Sequence, residues 1–134
     1  MRAYATTNTC TGDGVRVADT SFLYAVLSTS DRFHEAAVAE ASKPEPIVIP
    51  SEIFSETLAL VHYRRGFKVA REAGRWLREQ PRVQIAPSSA SVLEGAWVLF
   101  VRKRGLVSYP DAVVLAWCAS MRGTALAYDK GITG

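Results

Sequence analysis

The feature that most restricts the fold of this chain is an alternation of short β-branched runs with longer amphipathic stretches. Val15-Arg16-Val17-Ala18, Ile47-Val48-Ile49, Arg82-Val83-Gln84-Ile85-Ala86 and Thr124–Tyr128 have the length and composition of strands. Between successive runs lie two helix-length segments: Phe22–Leu27 and Arg32–Ala41, then a helix opened by Pro50-Ser51 and a second one over Phe67–Glu79, then Ser88–Arg104 and a helix from Asp111 to Met121. The order β-α-α-β-α-α-β-α-α-β predicts a single-domain α/β protein with three layers, α/β/α, around a parallel sheet. Ligand sites in such sheets lie beyond the carboxyl ends of the strands.

The punctuation agrees with this reading. Asp19-Thr20-Ser21 offers N-cap candidates for the first helix, Ser28–Asp31 for the second and Ser51 for the third. Phe33, Ala36, Ala37 and Val38 are expected to face inward from the second helix, and Ile53, Leu58, Leu60 and Val61 from the third. Gly66 marks a kink or junction, Gln80-Pro81 ends a helix, and Gly105 suits a C′ position. The period-two pattern of 82–86 gives that strand one wetter face.

Four acids fall at the joints of this frame. Asp19 closes the first run, Glu56 lies one turn into the third helix, Asp111 opens an apolar helix, and Asp129 follows the last run. Each has an ordinary explanation. Asp19 suits a cap, Asp111 ends a Ser-x-x-Asp pattern begun at Ser108, Asp129 suits a turn, and Glu56 a solvated helix face. Singly, these explanations lead; together, with Asp19 and Asp129 at strand ends of one sheet, a shared site leads. Carboxylates gathered at one sheet edge repel one another and need a cation to stay charged. Hard oxygen donors without a soft ligand set point to Mg²⁺ or Mn²⁺. Glu52 and Glu56 are i and i+4, so spacing alone leaves both as candidates.

Composition sets the remaining bounds. With 134 residues, 49% hydrophobic and 22% charged, the chain has the size and composition of one globular domain. No apolar run reaches the roughly 18 residues of a membrane span, and the polar first 14 residues read as a flexible leader before a domain over 15–134 rather than as a secretory signal. Cys10 and Cys118 make no disulfide framework, and a reducing cytoplasm is expected. The net charge is +3, from 16 basic and 13 acidic residues; setting four acids aside in a site leaves 16 minus 9, or +7, elsewhere. That excess favours a polyanionic partner. Arg64, Lys68, Arg71, Arg75 and Arg78 form one helix stripe if Gly66 does not break it, a track for a phosphate backbone. His34 and His62 lack partners at metal-ligand spacing. Trp76, Trp97, Phe100 and Trp117 suit a core or a subunit contact, and Ala90–Val101 carries too many apolar residues for one buried stripe, so a subunit interface is expected there.

Four segments resemble the motifs of PIN-domain ribonucleases: Val17–Ala25 (VADTSFLYA), Ile47–Leu58 (IVIPSEIFSETL), Gly105–Ala116 (GLVSYPDAVVLA) and Leu126–Gly131 (LAYDKG). Their order and spacing resemble the family from about residue 15 to 131, and the small size is most similar to VapC-type toxins of toxin–antitoxin pairs. The resemblance matches Glu56, not Glu52, to the family acid. It implies a PIN-like sheet of four or five strands and a metal-dependent endoribonuclease. Asp19, Glu56 and Asp111 are then the main Mg²⁺ or Mn²⁺ ligands, and Asp129 contributes directly or through water. Thr20, Ser21 and Ser108 orient the carboxylates or the scissile phosphate. The implied partners are an RNA substrate, a cognate antitoxin and a second copy of the chain in a homodimer, with no membrane. Two departures stand out. Ala127 sits where the family has Thr or Ser two residues before the fourth acid, and the chain stops at Gly134, where the family adds an edge strand. The alternatives are an RNA- or partner-binding module with a degenerate site, favoured by Ala127, and a housekeeping RNA-processing nuclease.

Overall fold

A computed structural model of the chain describes residues 14–128. Four strands, β1 (Arg16–Ala18), β2 (Ile47–Pro50), β3 (Val83–Ala86) and β4 (Thr124–Leu126), form one parallel sheet in the order β3-β2-β1-β4. Six helices flank it: α1 (Thr20–Leu27), α2 (His34–Ala41), α3 (Ser51–Arg65), α4 (Phe67–Glu79), α5 (Ala90–Lys103) and α6 (Tyr109–Met121). The expected single-domain three-layer α/β/α architecture is the one observed. Among the described residues no helix is long and apolar enough to cross a membrane.

β1 and β2 are central and fully buried, as expected for strands covered on both faces. β3 lies at an edge, which is why Gln84 is exposed and its neighbours are half-buried. The main core gathers Val17, Phe22, Ile49, Ile53, Leu77, Val114 and Leu126 from both central strands, β4 and four helices. A second cluster, around Ala96, Val107, Ala112 and Val113, joins α5 to α6.

Some local expectations are corrected, while Gly66 as a junction and Gly105 as the residue after the α5 cap hold. α2 begins at His34 rather than Arg32, because the Asp31 carboxylate accepts the Phe33 N–H at 2.8 Å and shapes a turn there. Of its expected inward residues, Ala37 is buried and Phe33 packs on the core, but Ala36 and Val38 face outward. Ser51 is the first residue of α3, not its cap; Pro50 holds the cap position without a side-chain bond. Gly66 breaks the helix outright. At φ 91° and ψ 171° it ends α3 and begins α4. Arg104 takes the left-handed conformation at the end of α5 (φ 53°), and Gly105 follows with φ 93°. β4 is three residues long, shorter than the run 124–128.

Arg16 is unusual for a central strand, being 5% exposed. Its guanidinium bonds the main-chain oxygens of Glu40, Lys43 and Glu45 and lies 3.4 Å from the Glu40 carboxylate. It bonds carbonyls at the end of α2 and in the α2–β2 connection, which offsets the burial of its charge.

Candidate functional site

The strand order fixes where a site can form. The chain runs outward from β1 to β2 and β3, then returns past both to place β4 on the other side of β1. The β1/β4 boundary is therefore the switch point of the sheet, and the crevice beyond its carboxyl ends is the expected ligand position. A cleft of about 500 Å³ lies at this position, with Asp19, Glu56 and Asp111 all among its lining residues.

Asp19 follows β1 directly and is 3% exposed. Its N–H donates to the Leu126 carbonyl across the β1/β4 boundary at 3.0 Å, and its Oδ1 accepts from the Phe22 N–H at 3.0 Å and the Ser21 hydroxyl at 2.8 Å. The first of those side-chain bonds caps α1. Ser21 Oγ accepts the Tyr128 N–H at 2.7 Å, so one hydroxyl ties the end of β4 to the carboxylate. Glu56 reaches the cleft from the second turn of α3, and its Oε1 accepts the Thr20 hydroxyl. Asp111 sits in the first turn of α6, where Ser108 Oγ accepts its N–H at 3.2 Å; the positive end of the helix dipole favours a carboxylate there.

Thr20 and Ser21 thus hold two carboxylates by their side chains, whereas Ser108 positions Asp111 through its backbone. Glu52 points elsewhere. Its Oε1 accepts the Ser88 hydroxyl at 2.7 Å, and Ser88 Oγ accepts from Trp117 Nε1 at 2.8 Å, a chain that joins α3 to α6. Asp129 lies outside the described residues, one position beyond Tyr128, itself a lining residue of the cleft. Ala127 is fully buried and brings no hydroxyl. The expected five-residue basic stripe is divided by Gly66: Arg64 ends up on α3 at the cleft, while Lys68, Arg71, Arg75 and Arg78 share the exposed side of α4, opposite its buried Ala70, Ala73, Gly74 and Leu77. His34 Nδ1 bonds the Ala25 carbonyl at 2.8 Å, and His62 is exposed beside Phe67, so neither joins the cleft.

Sequence reasoning missed Tyr24, Asp31, Arg32, Phe33 and Tyr128 as lining residues. The Arg64 guanidinium beside Tyr24 holds its phenol below the usual range despite partial burial. Burial pushes the Tyr128 phenol up, helped by the Glu40 charge, and its ring stacks on Phe33 (5.0 Å) and Phe22 (6.0 Å). The signal for Tyr128 was its place just before Asp129; nothing local marked Asp31 or Arg32, which enter through the shape of the α1–α2 turn.

Among the described residues no three Asp, Glu, His or Cys side chains are grouped tightly enough to hold an ion. The donor chemistry of the cleft nevertheless suits a hard divalent cation: four carboxylates line it among the described residues, and two of them, Asp19 and Glu56, are held by hydroxyls. The family model of the PIN domain matches residues 16–133. The chain belongs to the PIN-domain family. No curated protein matches it in sequence. Among solved structures, this PIN domain is similar to the Mycobacterium tuberculosis toxin VapC20, a toxin that cleaves the sarcin-ricin loop: 27% identity, TM-score 0.77, over 88% of this chain and 92% of that one. It shares its fold with a Klebsiella pneumoniae toxin–antitoxin complex chain (21% identity, TM-score 0.59, 82% of each chain). The same holds for Rickettsia felis VapBC2 bound to a promoter DNA fragment (10% identity, TM-score 0.59, 86% of this chain and 99% of that one). The PIN domain described here has the VapC-type fold.

Proposed function

We propose that this PIN domain is a divalent-metal-dependent endoribonuclease that acts as the toxin of a toxin–antitoxin pair in the cytoplasm. The observation that carries the reading is the meeting of Asp19, Glu56 and Asp111 in one cleft at the β1/β4 switch point. Similarity to a toxin that cleaves the sarcin-ricin loop supports RNA as the substrate, and the likeness to toxin–antitoxin complexes supports an antitoxin as the protein partner. The apolar side of α5, with Trp97, Val98 and Val101 exposed, is the proposed contact between two copies.

A phosphodiester resists attack because its charge repels the nucleophile. A bound Mg²⁺ or Mn²⁺ supplies a Lewis acid that offsets this charge and lowers the pKa of water. In this chain Asp19, Glu56 and Asp111 would hold the ion, with Asp129 as the proposed fourth ligand. Ser21 and Thr20 fix the orientation of the first two, so their oxygens do not reorganise as the substrate enters. The basic side of α4 suits contacts with phosphates, which position RNA without reading its sequence.

The experiment is RNA cleavage with Mg²⁺ or Mn²⁺ by the parent and by Asp19→Asn, Glu56→Gln and Asp111→Asn. The amide is the right replacement at Asp19, because its oxygen still caps α1 whereas alanine removes the cap. Loss of cleavage in all three with retained folding is expected; equal cleavage in EDTA refutes the reading. Ala127 favours a second reading, a binding module with a degenerate site, which predicts RNA binding without cleavage under any divalent ion. Expression of the chain alone arrests growth if it is a toxin and is tolerated if it is a housekeeping nuclease.

A further inference from the structure

Two guanidiniums, Arg32 and Arg64, line the same cleft as the carboxylates. They come from different elements, Arg32 from the turn before α2 and Arg64 from the last turn of α3. Each rests on an aromatic ring that also lines the cleft. Arg32 lies 4.9 Å from the Phe33 ring centroid, and Arg64 lies 5.1 Å from that of Tyr24.

An arginine beside carboxylates ordinarily closes a forked ion pair with one of them. Among the described residues neither does: both ion pairs there converge on Glu40, which does not line the cleft. The aromatic rings hold the two charges by their quadrupoles and leave N–H donors uncommitted to the carboxylates of the described residues. Guanidiniums held in this way suit an anionic ligand beside the carboxylates. Among the described residues Asp19, Asp31, Glu56 and Asp111 line the cleft against two arginines, a balance of four negative to two positive charges. A phosphodiester entering that field needs cations that the acids have not already neutralised.

The geometry points to Arg32 and Arg64 as a two-guanidinium clamp that takes non-bridging phosphate oxygens of a single RNA strand lying across the carboxylates. The inference rests on the ribonuclease reading. It separates these two residues from Lys68, Arg71, Arg75 and Arg78, which are not part of the cleft. Arg32 and Arg64 are positioning residues that set where the strand lies relative to Asp19, Glu56 and Asp111.

The test is binding of a labelled single-stranded RNA oligonucleotide by the full chain across a salt series, with Ca²⁺ in place of Mg²⁺ or Mn²⁺. Arg32→Gln and Arg64→Gln are each expected to weaken binding roughly ten-fold, the scale of a lost hydrogen-bonded charge contact. Each is also expected to lower the slope of log affinity on log salt by about 0.7, the single-strand value for one phosphate contact. Arg64→Lys restores the slope while recovering only part of the affinity, because ammonium lacks the fork. Both arginines are exposed, so melting temperatures stay at the parent value. Arg102→Gln, on the far end of α5, leaves slope and affinity unchanged. Parent-like slopes in both glutamine variants, with the parent binding RNA, overturn the clamp and leave the ribonuclease reading standing. Failure of the parent itself to bind or cleave RNA overturns both.

Discussion

Ser21→Ala is the sharpest test of how the site is built. One oxygen, Ser21 Oγ, donates to Asp19 Oδ1 at 2.8 Å and accepts from the Tyr128 N–H at 2.7 Å, linking residues 107 positions apart. Both ends are buried, Asp19 at 3% and Tyr128 at 7% exposed. Removing the hydroxyl deletes a charge-assisted bond, about 1.5–3 kcal/mol, and orphans a backbone donor, about 1–3 kcal/mol. The two losses share one atom and the neighbouring cleft admits water, so they add incompletely; roughly 2–4 kcal/mol is expected. For 134 residues the entropy of unfolding converts this to a fall in melting temperature of roughly 7–14 °C. Thr20→Val is the contrast. It removes the donor to Glu56, but Glu56 is exposed and water replaces the bond, so stability should change by less than about 1 kcal/mol. Both variants should lose about ten- to a hundred-fold in cleavage, the usual cost of releasing a ligand from its supporting hydrogen bond. The measurements are chemical denaturation, thermal melting and cleavage rates on one set of proteins. A Ser21→Ala protein that melts within about 2 °C of the parent refutes the bridge, because an unpaired donor in a buried position cannot be that cheap.

Glu56→Gln should reduce cleavage at least a hundred-fold while Glu52→Gln stays within a few-fold of the parent, since only Glu56 lines the cleft; a steady-state assay of both variants decides. Gly66→Ala should cost about 1–3 kcal/mol in denaturant unfolding, all of it conformational, because an added Cβ meets nothing within 4 Å yet φ 91° with ψ 171° is a glycine region. In alkali the two cleft tyrosines should behave oppositely. The folded pKa of Tyr128 lies above its unfolded value near 10.0, so its contribution is intact below that value and is lost as pH rises through the folded one. That of Tyr24 lies below, so its contribution is present above 10.0 and lost as pH falls through the folded value. Denaturation midpoints between about pH 8 and 11 should therefore fall less steeply for Tyr128→Phe than for the parent.

The frame of the fold was legible because each strand carried its own chemistry. Ile47-Val48-Ile49 is β-branched throughout, and Val83 to Ala86 alternates because β3 is an edge strand with one wet side. Helix boundaries were less legible where a side chain competed for the backbone. Asp31 draws the Phe33 N–H into a turn and delays α2, and Pro50 holds the cap position in front of Ser51. Arg16 was invisible as a structural residue, since only the tertiary fold brings the carbonyls of residues 40, 43 and 45 to one guanidinium. Arg32 and Asp31 entered the cleft for the same kind of reason.

The contest between the ordinary and the functional explanation of each acid had a false premise. Asp19 is a helix cap, as the ordinary explanation held, and the bond that caps α1 is also what fixes its carboxylate in the wall of the cleft. Ser108 caps α6, and by doing so aims the first turn that carries Asp111. At the end of a parallel strand the chain must turn into a helix, and the residues that cap helices are short, oxygen-bearing ones. Those are also the residues that bind hard cations. The switch point of the sheet therefore concentrates suitable ligands as a by-product of solving the backbone's own hydrogen-bonding problem. A cap gives a carboxylate a fixed position without a dedicated support, which lets a small chain of 134 residues bring several acids to one cleft. Glu56 is the exception that locates the functional demand. It caps nothing, it sits exposed in the second turn of α3, and its tie to Thr20 serves no helix end. Of the three described acids it alone has no structural reason to face the cleft, so substitution there reports on chemistry with the least interference from folding.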